Sequence, residues 1–198
     1  MRLKNYYSMS KHYFLFIVFI FSGIFCNSIY AQPQTGEFIN VSIGLGVSAP
    51  MYEDENEITG NGFYAQGEYV WSPLSWFGLR PYAGVIIASG ELKEEGKPEY
   101  KIKSNAALLG VKVRLAAPIP YVAPFIESGV GMSIGSFETY TAYTNLKKNG
   151  VLLHIPVTLG LAIGREHNYE LKFTYYFNPS VEQFSGAAAV GFSFPIDE

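Results

Sequence analysis

The sequence predicts an all-β fold: an eight-stranded antiparallel up-and-down transmembrane β-barrel, turned apolar side out. Three observations predict it. Apolar residues recur with period two in eight segments, the signature of strands with two unlike faces. The connections between those segments alternate between short and long, as they do when hairpins link the two rims of an outer-membrane-type barrel. The polar faces carry acids and bases at positions that meet across the short turns.

Composition narrows the classes first. Of 198 residues, 48% are hydrophobic, 16% aromatic and 16% charged, with 20 Gly, 15 Tyr, 15 Phe and one Cys. A typical soluble domain is about 25% charged, so this chain is poor in charge. Disorder requires low hydrophobicity and high net charge, and neither is present. The single cysteine excludes a disulfide scaffold. The formal charge of −3 argues against a nucleic-acid partner, which calls for a basic surplus.

Residues 1–31 read as a signal peptide that is cleaved, leaving 32–198 as the barrel domain. Arg2, Lys4 and Lys11 form a basic start without an acid, Tyr13 to Ile24 is a 12-residue apolar run, and Ala31 is the small residue before Gln32. A spanning helix wants about 18 or more apolar residues, so this run is too short to be one. Phe25 before Cys26 does not fit a lipoprotein signal. Removing 31 of 198 residues leaves 167, and removing three cations takes the charge from −3 to −6. The only cysteine goes too, so the exported chain folds without thiol chemistry.

The predicted strands cover 38–48, 62–71, 77–88, 101–115, 121–136, 151–163, 169–177 and 184–194. In the first, Ile39, Val41, Ile43, Leu45 and Val47 share one face, and Asn40, Ser42, Gly44, Gly46 and Ser48 the other. The second carries Glu68 on its polar face and ends on Tyr69 and Trp71; the third opens on Phe77 and carries Arg80. The fourth carries Lys112 and Arg114, the fifth Glu127. In the sixth, Val151, Leu153, Ile155, Val157, Leu159, Leu161 and Ile163 oppose His154, Thr158, Gly160 and Ala162. In the seventh, Tyr169, Leu171, Phe173, Tyr175 and Phe177 oppose Glu170, Lys172 and Thr174, and the eighth ends on Phe192 and Phe194.

Short connections fall at 72–76, 116–120 and 164–168, and mostly longer, polar ones at 49–61, 89–100, 137–150 and 178–183. An even strand number puts both termini on the short-turn, periplasmic rim.

The faces decide between a soluble and a membrane barrel. In a membrane barrel the lumen takes the polar face, and a charge enclosed there must be paired. The expected lumenal network is Glu68, Arg80, Lys112, Arg114, Glu127, His154, Glu170 and Lys172. A turn centred on Leu74 sets Glu68 against Arg80, and one centred near Pro118 sets Lys112 against Glu127, directly or diagonally. Aromatic girdles mark the interfaces of such barrels. Tyr69, Trp71, Trp76, Phe77, Phe192 and Phe194 supply the one at the short turns, with Phe63, Tyr175, Phe177 and Phe184 at the other end.

Two places resist the pattern. Pro156 in the sixth strand cannot donate a ladder hydrogen bond, which implies either a bulge or a misplaced boundary. Lys101, Lys103 and Asn105 sit on the nominally apolar face, so 100–106 is expected to project above the bilayer.

The Tyr30-Ala31-Gln32 cleavage context, the Pro81-Tyr82-Ala83-Gly84 and Pro124-Phe125 to Gly129 strands and Leu153-His154-Ile155-Pro156 to Gly160 together make a loose pattern. In these the mature region resembles the small outer-membrane β-barrel domain proteins of Bacteroidota, within the wider porin-like group. The resemblance implies an outer-membrane location, outer-membrane lipid and lipopolysaccharide as surroundings, the barrel-insertion machinery as a partner, and a monomer. Many such barrels end on an aromatic residue; here Phe194 is followed by Pro195-Ile196-Asp197-Glu198.

No catalytic constellation and no cofactor or metal site is expected. The mature chain has two histidines and no cysteine, which excludes Cys/His zinc sites. Gly44-Leu45-Gly46 and Gly129-Val130-Gly131 are not followed by a helix and are not phosphate loops. Glu53 to Glu57 is a solvated acidic loop without calcium-loop spacing. Tyr140, Tyr143, Lys147 and Lys148 make the third long loop a contact surface for glycan or lipopolysaccharide. An eight-stranded barrel is only wide enough inside for side chains. The expected role is therefore non-enzymatic: membrane structure, surface interaction or small-ligand passage. The alternatives are a secreted lipocalin-like binding barrel and a lipid A deacylase-type enzyme. Against the latter, His154 faces the lumen and is followed by Ile155-Pro156 where such enzymes have a His-x-Ser motif.

Overall fold

A computed structural model describes residues 33–51, 58–93, 99–141, 144–178, 180–181 and 183–196. The expected leader, the acidic stretch 53–57 and Tyr143 lie outside the described residues. The strands are β1 (Gly36–Pro50), β2 (Gly60–Leu74), β3 (Phe77–Leu92), β4 (Tyr100–Ala116), β5 (Val122–Tyr140), β6 (Asn145–Ile163), β7 (Tyr169–Asn178) and β8 (Gln183–Pro195). Each pairs antiparallel with its neighbour in sequence, and β1 pairs with β8 from Phe38↔Pro195 to Pro50↔Gln183, closing the barrel. Closure satisfies every strand edge within the sheet, which a wall bathed in hydrocarbon requires.

The barrel is inside out relative to a soluble protein. Leu153 is 72% exposed while its neighbour His154 is 2% exposed, and the same alternation holds Phe173 out and Lys172 in. Along β5 the exposed apolar positions run from Val122 through Ile126 and Val130 to Ile134. Twelve strand steps of about 3.3 Å, tilted by about 40°, give a belt about 30 Å tall, the thickness of a bilayer core.

Several boundaries differ from the expected ones. The strands run further at the long-loop end: β5 continues to Tyr140 and β6 begins at Asn145, so the stretch 137–150 is mostly hairpin. Backbone pairing persists there although the outward residues have turned polar, and a hydrophobic period cannot report it. Successive outward rows across β3–β6 show the change: Val85–Ala107–Ile134–Val151, then Ile87–Asn105–Ser136–Asn149, then Ser89–Lys103–Glu138–Lys147. Lys101, Lys103 and Asn105 therefore stand beyond the belt while Ile102, Ser104 and Ala106 keep the inward phase.

The registers at the short turns are also corrected. The β2–β3 turn is Ser75–Trp76, and the register shifts between Trp71 and Leu74, so Glu68 lies opposite Tyr82 rather than Arg80. At the next turn Tyr121 takes φ of 65°, the turn moves towards β5, and Glu127 lies opposite Arg114. Pro156 produces no bulge. The β5–β6 register is unchanged from Ser128↔Val157 to Gly131↔His154, with the ladder interrupted at the position where proline has no N–H to give.

Candidate functional site: the filled lumen

The inward face is stacked in layers. Nearest the short turns, Ala123, Phe125 and Ala162 pack together, and the Arg114 guanidinium lies 3.5 Å from the Phe125 ring centroid. Above them come seven charged side chains from β2, β3, β4, β5 and β7. The facing stretches of β6 and β8 carry Thr158, Gly160, Ala162, Ala187, Ala189 and Gly191, which leave the room these long side chains need.

Each carboxylate serves three cations. Glu68 accepts from Arg80 at 2.6 Å, Lys112 at 2.8 Å and Lys172 at 3.1 Å. Glu127 accepts from Lys112 at 2.7 Å, Arg80 at 3.1 Å and Arg114 through Nε at 2.7 Å. Glu170 accepts from Arg114 at 2.6 Å and Arg80 at 2.9 Å, with Lys172 at 3.2 Å. All seven residues are buried. Charge-assisted, multiply shared hydrogen bonds of this kind offset the large desolvation penalty of enclosing ions.

A neutral layer follows. Gln66 donates to Glu68 and accepts from the Tyr176 hydroxyl at 2.7 Å, and Tyr64 and Tyr176 join their hydroxyls at 3.0 Å. His154 is held at both nitrogens: Tyr82 Oη lies 2.5 Å from Nε2 and Ser133 Oγ 2.7 Å from Nδ1. Gly131 makes this possible, because a Cβ there would run into Tyr82 Oη and His154 Nε2. Gly131→Ala is expected to cost about 1–3 kcal/mol from overpacking, measured by urea unfolding in detergent. Tyr82→Phe, which removes the obstructing oxygen, is expected to recover part of that loss in the double variant.

Towards the long loops the lumen turns apolar, with Ile86, Leu108, Phe137 and Val181 in one cluster. Gln183 then bridges Ser104 and Thr139, and Ile58, Tyr100 and Ile102 form a further buried cluster towards the long loops.

Sequence reasoning missed Ser133, Tyr64, Tyr82, Tyr176 and Gln66 as parts of this interior. Period two places all of them on inward faces, so the signal was there. A serine hydroxyl on a buried histidine is also half of a hydrolytic constellation, but both residues are walled off from lipid inside the barrel.

The remaining site residues lie outside the lumen. At the short-turn rim Tyr69, Trp71, Trp76 and Phe194 are exposed, and Phe77 and Phe192 half-buried. Trp76 packs on Phe77 at 5.8 Å and Phe192 on Phe194 at 4.5 Å between ring centroids. At the other end Phe184 packs against Tyr175 and Phe177. Tyr140, Lys147 and Lys148 are strand residues of the β5–β6 hairpin rather than a loop. Lys147 pairs with Glu138 at 2.6 Å and holds that carboxyl below its ordinary range, and Lys148 donates to the Ser180 carbonyl at 2.6 Å.

Apolar outside, polar within and closed on itself, this architecture recurs among solved proteins. Neisserial surface protein A (NspA) superposes with a TM-score of 0.52 at 10% identity, over 82% of this chain and 98% of that one. The outer membrane protein OprG of Pseudomonas aeruginosa gives 0.51 at 11% identity, over 85% and 100%. This is the fold of the small outer-membrane β-barrels. The outer membrane enzyme PagL also matches, with a TM-score of 0.40 at 15% identity over 80% and 99%. No protein-family model and no curated protein sequence matches the chain. A barrel of this fold with a lipid-height apolar exterior belongs in the outer membrane.

Proposed function

We propose that this chain is a non-enzymatic, monomeric outer-membrane barrel that acts through its surface rather than its lumen. It is exported by cleavage after residue 31 and inserted by the barrel-assembly machinery. The observation that carries the reading is the filled interior: three carboxylates, four cations, a tyrosine–histidine layer and an apolar cluster occupy successive levels of the described lumen. Passage of a solute would require breaking several buried ion pairs at once. What stays accessible is the rim above the belt, where Lys101, Lys103 and Lys147 face outward at the height of lipid headgroups. These suit the phosphates of lipopolysaccharide.

Two measurements test the reading. In planar bilayers the folded barrel is expected to give no unitary conductance steps; regular steps would contradict a closed lumen. Lys101→Glu, Lys103→Glu and Lys147→Glu together are expected to weaken lipopolysaccharide binding about a hundredfold, given about 1 kcal/mol for each lysine near an anionic surface. Unchanged binding by a correctly folded triple variant would remove the surface role assigned to this rim.

A further inference from the structure

The lipid-facing wall is not uniform. In the long-loop half of β8 the outward positions are Gly186 and Ala188, and both neighbouring strands carry larger side chains at the same level. Ala188 lies between Leu45 of β1 and Phe173 of β7, which are 69% and 67% exposed. Gly186 lies between Val47 and Tyr175. The result is a groove with a floor of small residues, about 280 Å³ in volume around Ala188. Val190 ends the floor below. Above, Phe184 leans onto Tyr175 and Phe177, at 5.1 and 6.4 Å between ring centroids, which leaves small Ala49 on the β1 side.

Strands about 4.8 Å apart set the two banks about 10 Å apart, and the side chains on them narrow the gap to one alkyl chain. In hydrocarbon, covering apolar surface gains no hydrophobic energy, so association there follows shape. A groove one chain wide offers dispersion contacts that a flat wall does not. Its height places it in the outer leaflet, since the long loops face away from the periplasm.

A cation stands above the groove. β7 ends at Asn178 while β6 continues to Asn145, so Lys148 reaches over the β7–β8 turn and donates to the Ser180 carbonyl at 2.6 Å. An ammonium has three hydrogens, and Ser180 takes one. Lys147 is paired with Glu138, whereas among the described residues no carboxylate pairs with Lys148. Ser180 lies beyond the Phe177 and Phe184 girdle, at the height of lipid headgroups. A seat for one chain beneath a cation fits an acylated anion.

We infer that β8 and its two flanking strands seat one acyl chain of lipopolysaccharide, with a phosphate of the same molecule held by Lys148. The site rests on the reading that lipopolysaccharide is what the long-loop rim meets. It adds a fixed place on the wall and a contact that depends on the chain as well as the charge.

The test titrates the full folded barrel in detergent with fluorescent lipopolysaccharide, and with the same molecule stripped of its acyl chains. Ala188→Phe, which fills the floor, is expected to weaken binding of the acylated form about tenfold, the worth of about ten lost dispersion contacts. It is expected to leave the stripped form unaffected. Lys148→Gln is expected to weaken both about fivefold. Ala83→Phe, a matching change on the outward face of β3, is expected to alter neither. Heat-modifiable migration reports whether each variant is folded. Should Ala188→Phe not fold, Leu45→Ala, which removes the β1 bank, takes its place with the same direction expected. Unchanged affinity in the folded variant would overturn the seat and leave the rim reading standing; the rim reading fails separately, through the triple lysine variant. Competition by phosphatidylglycerol as strong as by unlabelled lipopolysaccharide would overturn the assignment of the occupant.

Discussion

Replacing Glu68 with glutamine is expected to lower the unfolding free energy by about 3–5 kcal/mol, the range for breaking a buried ion pair from one side. Its carboxylate is shared by Arg80, Lys112 and Lys172, and the side chain has no exposed surface. Glutamine keeps the size but leaves two excess cations more than the remaining carboxylates can answer, where the unaltered lumen has one. The sign of the imbalance gives the prediction a built-in comparison. Lys172→Met removes one cation, leaves Glu68 and Glu170 with two partners each, and is expected to be the milder change. Urea unfolding of the two variants in the same detergent checks the order. A Glu68→Gln barrel as stable as the unaltered one would mean that the seven charges are solvated rather than enclosed.

The second large effect lies on the other side of the wall. Val130 is 71% exposed and sits in the middle third of the belt, facing outward opposite Val111. Val130→Arg is expected to destabilise the bilayer-inserted barrel by about 2–4 kcal/mol, the penalty for arginine near the midplane of an outer-membrane barrel. In a soluble barrel the same change would place a charge on a wet surface and alter stability by less than about 0.5 kcal/mol. Reversible unfolding from phosphatidylcholine vesicles measures the difference. Lys103, on the outward face of β4 beyond the belt, provides the control: Lys103→Arg is expected to have little effect.

Strand number and the facing of each side chain were legible because both depend on a period of two. Leu153 and His154 are adjacent in sequence and opposite in surroundings, and only strand geometry treats neighbours so differently. The same rule sets Glu68, Arg80, Glu127 and Lys172 on the inward faces where the structure has them buried. Register was less legible. It depends on which residues belong to a turn, and neither the irregularity between Trp71 and Leu74 nor the positive φ of Tyr121 announces itself in an apolar pattern. The pairs that arithmetic set directly opposite are therefore diagonal. Glu68 and Arg80 still meet at 2.6 Å, because long charged side chains reach across a residue or two. The extent of the β5–β6 hairpin was hidden for a different reason. Once Glu138 and Lys147 replace aliphatic residues on the outer face, pairing is held by backbone and a cross-strand ion pair, and hydrophobicity carries no trace of it. The Ser133–His154–Tyr82 contacts join β5, β6 and β3, and no local reading of one strand assembles them.

The cysteine-free region 32–198 allows the direction of the wall to be read residue by residue. Spin labels on single cysteines placed in turn at 151 to 155 of β6, in bilayers, report collision with oxygen, which concentrates in lipid, and with a water-soluble nickel chelate. High oxygen and low nickel accessibility are expected at Val151, Leu153 and Ile155, with Leu152 and His154 shielded from both. High nickel accessibility at the odd positions would contradict this direction and make the chain a soluble barrel.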